Sequence, residues 1–126
     1  MFIGKNIRVE SIPQTLDTLV EHSRSLEEVR KEDLRCGDRV LVTTRNSLYT
    51  IWVLAEGVYW VSGGWFERQG RSPQQVRING CTWGGSAIKR DILAARGLFL
   101  EFGNRVLTSR IRQVRVVEAR PELAPN

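Results

Sequence analysis

The rhythm of apolar and polar positions changes once along this chain, near Arg39. Before that point, Leu16, Leu19 and Val20 stand at the i, i+3, i+4 spacing of an amphipathic helix. Pro13 precedes them at a first-turn position, where its missing N–H costs nothing. Ser25 and Glu28 have the spacing of a capping box, and Leu26 with Val29 supplies an apolar side. Glu27 is placed to pair with Lys31, and Gly37 offers a left-handed stop. Residues 13–36 are therefore expected to form one broken helix or two short ones, after a short strand carrying Ile7 and Val9.

From Arg39 onward the period is 2 and turn residues arrive at short intervals. Strands are expected over 40–44, 48–54 and 58–62, with a fourth at Trp65-Phe66. Arg45-Asn46-Ser47, Ala55-Glu56-Gly57 and Gly63-Gly64 would be their turns. A polar loop at 68–75 leads to a short strand at 76–79. Further on, 98–102 and 105–109 form a hairpin about Gly103-Asn104, and 111–117 closes the domain. The segment 86–96 fits either a helix capped by Ser86 or a strand. Ile111 lies out of phase with Val114 and Val116, and a β-bulge near Gln113 would restore the alternation.

The expected fold is mainly β: a small antiparallel β-barrel or sandwich of seven to eight short strands with an N-terminal helical segment. Its divisions are an N-terminal extension at 1–38, packing on the barrel, a β domain at 39–119 and a frayed tail at 120–126. A chain of 126 residues buries enough surface to fold without a staple. Two cysteines form no disulfide framework, and no apolar run resembles a secretion signal or reaches the ~18 residues of a membrane span. A cytoplasmic location without membrane association is the expectation.

Charge is unevenly placed. Residues 1–38 hold six Lys/Arg against eight Asp/Glu, a net of −2, whereas 39–126 hold thirteen against six, a net of +7. Sixteen of the nineteen basic residues are arginine, the side chain suited to bidentate recognition of phosphate and carboxylate. Arg105, Arg110, Arg112 and Arg115 gather around the last strand, either as guards of a sheet edge or as contacts for single-stranded nucleic acid or RNA.

Six of the ten aromatics fall between Tyr49 and Phe66. The hairpin register sets Val53 opposite Tyr59 and Trp52 opposite Trp60, so Thr50, Trp52, Leu54, Val58 and Trp60 share one face, which Trp65 would join. The other face carries Tyr49, Ile51, Val53, Tyr59 and Val61. One face makes the core. The second needs the N-terminal helices, a protein partner, another copy of the chain or a ligand, and Trp52, Trp60, Trp65 and Tyr59 are the candidate contact residues.

Catalytic constellations are absent from the sequence. His22 is the only histidine and has no nucleophile in its pattern, Cys36 and Cys81 lack metal-ligand spacing, and the glycine pairs match neither a P-loop nor a dinucleotide motif. No catalytic residue, metal or cofactor is assigned. Arg35-Cys36-Gly37-Asp38-Arg39 and Asn79-Gly80-Cys81-Thr82-Trp83-Gly84 resemble the two motifs of the cyclic-di-GMP-binding PilZ domains, with Cys81 where that family has serine. The resemblance implies a small β-barrel in which Arg35 and Arg39 contact the dinucleotide. Three functions therefore stand as expectations: a non-enzymatic protein-interaction or homo-oligomerisation module using the Trp-rich face, a nucleic-acid binder using the C-terminal arginines, and a cyclic-dinucleotide sensor.

Overall fold

The alternation that begins at Arg39 builds an antiparallel meander, and the rest of the chain wraps its inner side. The computed structural model describes residues 23–55, 57–85 and 87–119. The expected short strand carrying Ile7 and Val9, the helical turns at 13–22 and the tail at 120–126 lie outside the described residues. The meander consists of β3 (Arg39–Thr44), β4 (Leu48–Ala55) and β5 (Val58–Gly63). It is preceded by β1 (Arg24–Leu26), β2 (Glu28–Arg30) and a 3-10 turn at Lys31–Asp33. A short helix α1 (Gly64–Arg68) leads into β6 (Gln74–Val76) and β7 (Ile78–Thr82). Then come β8 (Ile88–Lys89), β9 (Ile92–Ala95), β10 (Phe99–Phe102) and β11 (Ile111–Val117).

Six strands form one sheet in the order β1-β11-β3-β4-β5-β6, three form a second in the order β10-β7-β8, and β2 pairs with β9. Every pairing is antiparallel. The large sheet does not close into a barrel: among the described residues β1 and β6 are its two edges. Both edges are only three residues long, and after β6 the chain passes to a different sheet. The described strands number eleven, more than the seven or eight expected, because short pairings at 24–30 and 88–95 add to the meander.

The core lies between the inward side of the large sheet and the two smaller sheets. Val40, Val42, Ile51, Val61 and Val114 project into it from one side, Leu93, Leu100 and Phe102 from the other. Phe66 is completely buried, with its ring 4.8 Å from that of Phe102 in an edge-to-face contact and 6.3 Å from Tyr49. The Tyr49 hydroxyl accepts a hydrogen bond from the Trp65 N–H at 3.1 Å, which satisfies a polar tip inside an apolar layer.

Two expectations are corrected here. The helix proposed to start at Ser25 is replaced by β1 and β2, which pair with β11 and β9. A capping box and one i, i+4 ion pair stabilise a helix by a kcal/mol or so at most, roughly. Pairing with two exposed sheet edges while burying Val29 outweighs that local preference. The fourth strand at Trp65-Phe66 is instead the helix α1. Gly63 at φ 94° and Gly64 at φ 50° turn the chain out of the sheet, where a Cβ on Gly63 would lie 2.2 Å from the Leu48 carbonyl oxygen. That turn drives Phe66 into the core.

The open segment 86–96 contains β8 and β9. The expected strand at 105–109 contributes a single bridge, Leu107 to Glu101. The hairpin pairs Trp52 with Trp60 and Val53 with Tyr59, as the turn chemistry requires. Its turn is one residue tighter than expected, with Ala55 opposite Val58 and Leu54 as the extra residue. The irregularity in β11 falls between Ile111 and Gln113, so Arg112 is the bulged residue.

Candidate functional site

Because side chains alternate across a strand, the buried set on the large sheet leaves a second set facing outward. The register aligns these positions into rows. One row runs Val117, Arg39, Trp52, Trp60, Gln75 across β11, β3, β4, β5 and β6. The next runs Arg115, Leu41, Thr50, Ser62. Leu41 and Val117 are buried there as a small cluster separate from the main core. Trp52 is 43% exposed and Trp60 39%, and they stand directly opposite one another.

The Arg39 guanidinium sits 5.2 Å from the centre of the Trp52 ring. Its Nε is buried and has no hydrogen-bond partner. Burial pushes the Arg39 pKa down, and no neighbouring carboxylate offsets that effect. None of the outward positions on the described strands of this sheet is Asp or Glu. Arg115 donates from Nη1 to the Ser23 hydroxyl at 3.3 Å. Among the described residues the face is thus aromatic at its centre, cationic beside it and free of carboxylates.

Past Thr50 and Ser62 the face descends into a shallow open groove of about 540 Å³, lined also by Asn46, Ser47, Gly64 and Arg68. Arg68 donates from Nη1 to the Ser47 hydroxyl at 3.0 Å, which leaves further guanidinium donors on the groove. Glu67 is the one carboxylate at its rim among the described residues. Hydroxyls and an arginine therefore follow the Trp52–Trp60 row, together with Leu48.

Of the four aromatic candidates, only Trp52 and Trp60 come together on this face. Tyr59 points inward, 2% exposed, and burial raises its phenol pKa. Trp65 lies on α1, partly buried against the core, with the Arg71 guanidinium 5.9 Å from its ring centre. The four candidate arginines are also divided. Arg115 belongs to the outward face and Arg112 to the exposed bulge. Arg110 leans over Phe99 at 4.8 Å and donates to the Gly97 carbonyl at 2.6 Å, and Arg105 occupies a tight turn at φ 69°.

Arg39 entered the sequence reading only within the PilZ-like motif. Its place beside Trp52 follows from pairing β3 with β4 through the 45–47 turn, the same register argument carried one hairpin further. Within that motif, Asp38 serves structure: its carboxylate accepts from the Arg35 N–H at 2.8 Å and the Ala119 N–H at 2.7 Å. In the second motif, Asn79 donates to Glu101 at 2.8 Å and to the Phe102 carbonyl at 3.2 Å. The Cys81 thiol is buried, its pKa pushed up to about 11. Among the described residues no hydrogen bond or ion pair joins Arg35 or Arg39 to positions 79–84. The nearest link is Lys31, whose ammonium donates to the Ile78 carbonyl at 2.7 Å.

Among the described residues, no three His, Cys, Asp or Glu side chains converge to hold a metal, and no helix is long and apolar enough to cross a membrane. No family model matches the chain, and neither a curated protein nor a solved structure matches it.

Proposed function

We propose that this chain is a binding protein without catalytic chemistry of its own, and that it takes single-stranded nucleic acid across the outward side of its large sheet. The observation that carries this reading is the partly exposed Trp52–Trp60 pair at the centre of a face that, among the described residues, holds Arg39 and Arg115 and no carboxylate. Bases stack on such rings whatever their identity, at about 1–3 kcal/mol per base, while cations beside the rings meet the phosphates. Arg39, which forms no ion pair among the described residues, is a charge that a phosphate would meet. The chain's net charge of +5 acts in the same direction at long range.

The assembly reading uses the same two tryptophans, since Trp and Arg also dominate protein interfaces. Self-association face to face fits less well, because a two-fold interface would bring together two copies of a face that carries arginines and, among the described residues, no acid to pair with them. The test is size-exclusion chromatography with light scattering at about 0.1 M and about 1 M salt, with and without a labelled random oligonucleotide. A monomer that co-elutes with the oligonucleotide only at low salt, and loses this on Trp52→Ser, supports the proposal. An oligomer that persists at high salt and ignores the oligonucleotide overturns it in favour of assembly.

A further inference from the structure

We propose that the bound strand continues past the Trp52–Trp60 row onto a second aromatic and cationic platform, made by Phe99 with Arg110 and Trp83 with Lys89. This rests on the nucleic-acid reading and deepens it: the ligand is an extended single strand, not a mononucleotide or a short end.

The path is traced by contacts. The groove beyond Thr50 and Ser62 reaches Asn46 and Ser47 in the β3–β4 turn. That turn is fastened to the segment before β11, with the Asn46 N–H on the Ser109 hydroxyl at 3.0 Å and the Arg45 N–H on the Arg110 carbonyl at 2.9 Å. Arg110 therefore adjoins, through its backbone, the turn at which the groove ends. Its guanidinium lies 4.8 Å from the centre of the Phe99 ring and is steadied by the Gly97 carbonyl. Phe99 in turn packs against Gly84, where a Cβ would stand 3.3 Å from its ring edge. The next residue is Trp83, 58% exposed, with the Lys89 ammonium 4.9 Å from its ring centre.

Each platform repeats the Trp52–Arg39 arrangement of a cation against an aromatic face. Gly84 and Gly85 separate the two rings without side chains, and nothing lies within 4 Å of where a Cβ on Gly85 would be. A backbone can cross there. The charges along the path are also free: among the described residues no carboxylate forms an ion pair with Arg45, Arg110, Lys89 or Arg90, while nearby Asp91 is held by Arg30 at 2.9 Å. Folding alone accounts poorly for a tryptophan exposed to this degree beside an unpaired lysine.

Fluorescence anisotropy with single strands of about 4 and about 16 nucleotides tests the path, since single-strand site sizes span that range. The variants are Trp83→Ser with Lys89→Glu, and Lys89→Glu alone, which alters only an exposed side chain; melting curves check that each folds. The double variant is expected to weaken the longer strand at least tenfold and leave the shorter one unchanged. Lys89→Glu alone is expected to flatten the salt dependence of the longer strand by about 0.7 in log–log slope. Equal loss for both lengths, or none for the longer, overturns the path while the Trp52–Trp60 reading stands. Binding of neither length by the wild type overturns both, and so does unchanged binding on Trp52→Ser, because the path starts from that row.

Discussion

Replacing Asp38 by alanine should unfasten the strand that carries Arg39. Asp38 is 5% exposed, and its carboxylate accepts from two backbone N–H groups, Arg35 at 2.8 Å and Ala119 at 2.7 Å. Its own backbone bonds Arg35 and Val53, so one residue ties the turn before β3, the end of β4 and the chain after β11. A hydrogen bond to a charged acceptor contributes about 1.5–3 kcal/mol, and a donor left buried and unpaired costs about 1–3 kcal/mol. Two such bonds make a loss of about 3–5 kcal/mol reasonable for Asp38→Ala, a large share of the roughly 5–15 kcal/mol that holds a domain folded. Asp38→Asn should lose about half as much: one oxygen still accepts, but the amide N–H₂ faces a donor. Urea unfolding measures the loss directly, and the melting temperature should fall by about 4–8 °C per kcal/mol. At temperatures where Asp38→Asn stays folded, it should weaken oligonucleotide binding less than Trp52→Ser, because it acts on Arg39 only through the backbone. An Asp38→Ala protein within about 0.5 kcal/mol of wild type, the spread of ordinary surface changes, would refute the clamp.

Gly80 and Gly85 offer a matched pair. A Cβ on Gly80 would stand 2.2 Å from the Lys89 carbonyl oxygen at φ 143°, whereas Gly85 faces open space. Gly80→Ala should therefore cost about 3 kcal/mol or more and Gly85→Ala no more than about 0.5 kcal/mol, read by chemical denaturation. In the native protein a thiol reagent near neutral pH should label Cys36, which is exposed, and reach Cys81 only on unfolding. Burial raises the Cys81 pKa from 9.0 to about 11, so the unfolded chain releases that proton first and stability should fall as pH rises across this window. Lys31, whose pKa burial lowers, acts in the opposite direction, so the comparison with Cys81→Ala isolates the thiol; an unchanged alkaline slope in that variant would show that it does not titrate on unfolding.

What the sequence makes legible here is local. The β3–β5 meander follows from period-2 alternation and short turns, and the Trp52–Trp60 pairing from counting back from Gly57. The bulge at Arg112 is legible too, because a strand with one face buried tolerates no slip in phase. The misreadings lie where distant partners decide. Residues 24–30 carry weak helical signals, but the edges of β11 and β9 are available only after the chain has folded back on itself. Trp65-Phe66 reads as strand by composition, and becomes helix because Phe66 fills the space beside Phe102. Arg39 next to Trp52 needs only the register carried across the 45–47 turn, whereas Arg110 over Phe99 depends on pairings and turns that no single segment encodes.

The solvated side of the β4–β5 hairpin also supplies its own control. Thr50 and Ser62 face each other there one pair along from Trp52 and Trp60, in the same sheet. These small polar residues satisfy what the fold asks of an outward position: β-propensity at Thr50, compatibility with water at both, and a cross-strand contact worth roughly 0.2–1 kcal/mol. Each tryptophan buries more than half of its surface and so packs as well, but about two-fifths of each remains in water. What they add is apolar ring surface held by a rigid sheet, in a row where the adjacent charge is an arginine lacking an acidic partner among the described residues. Under the proposed function, the difference between the two pairs lies in what lands on the face, where an oligonucleotide would use both the tryptophans and Arg39.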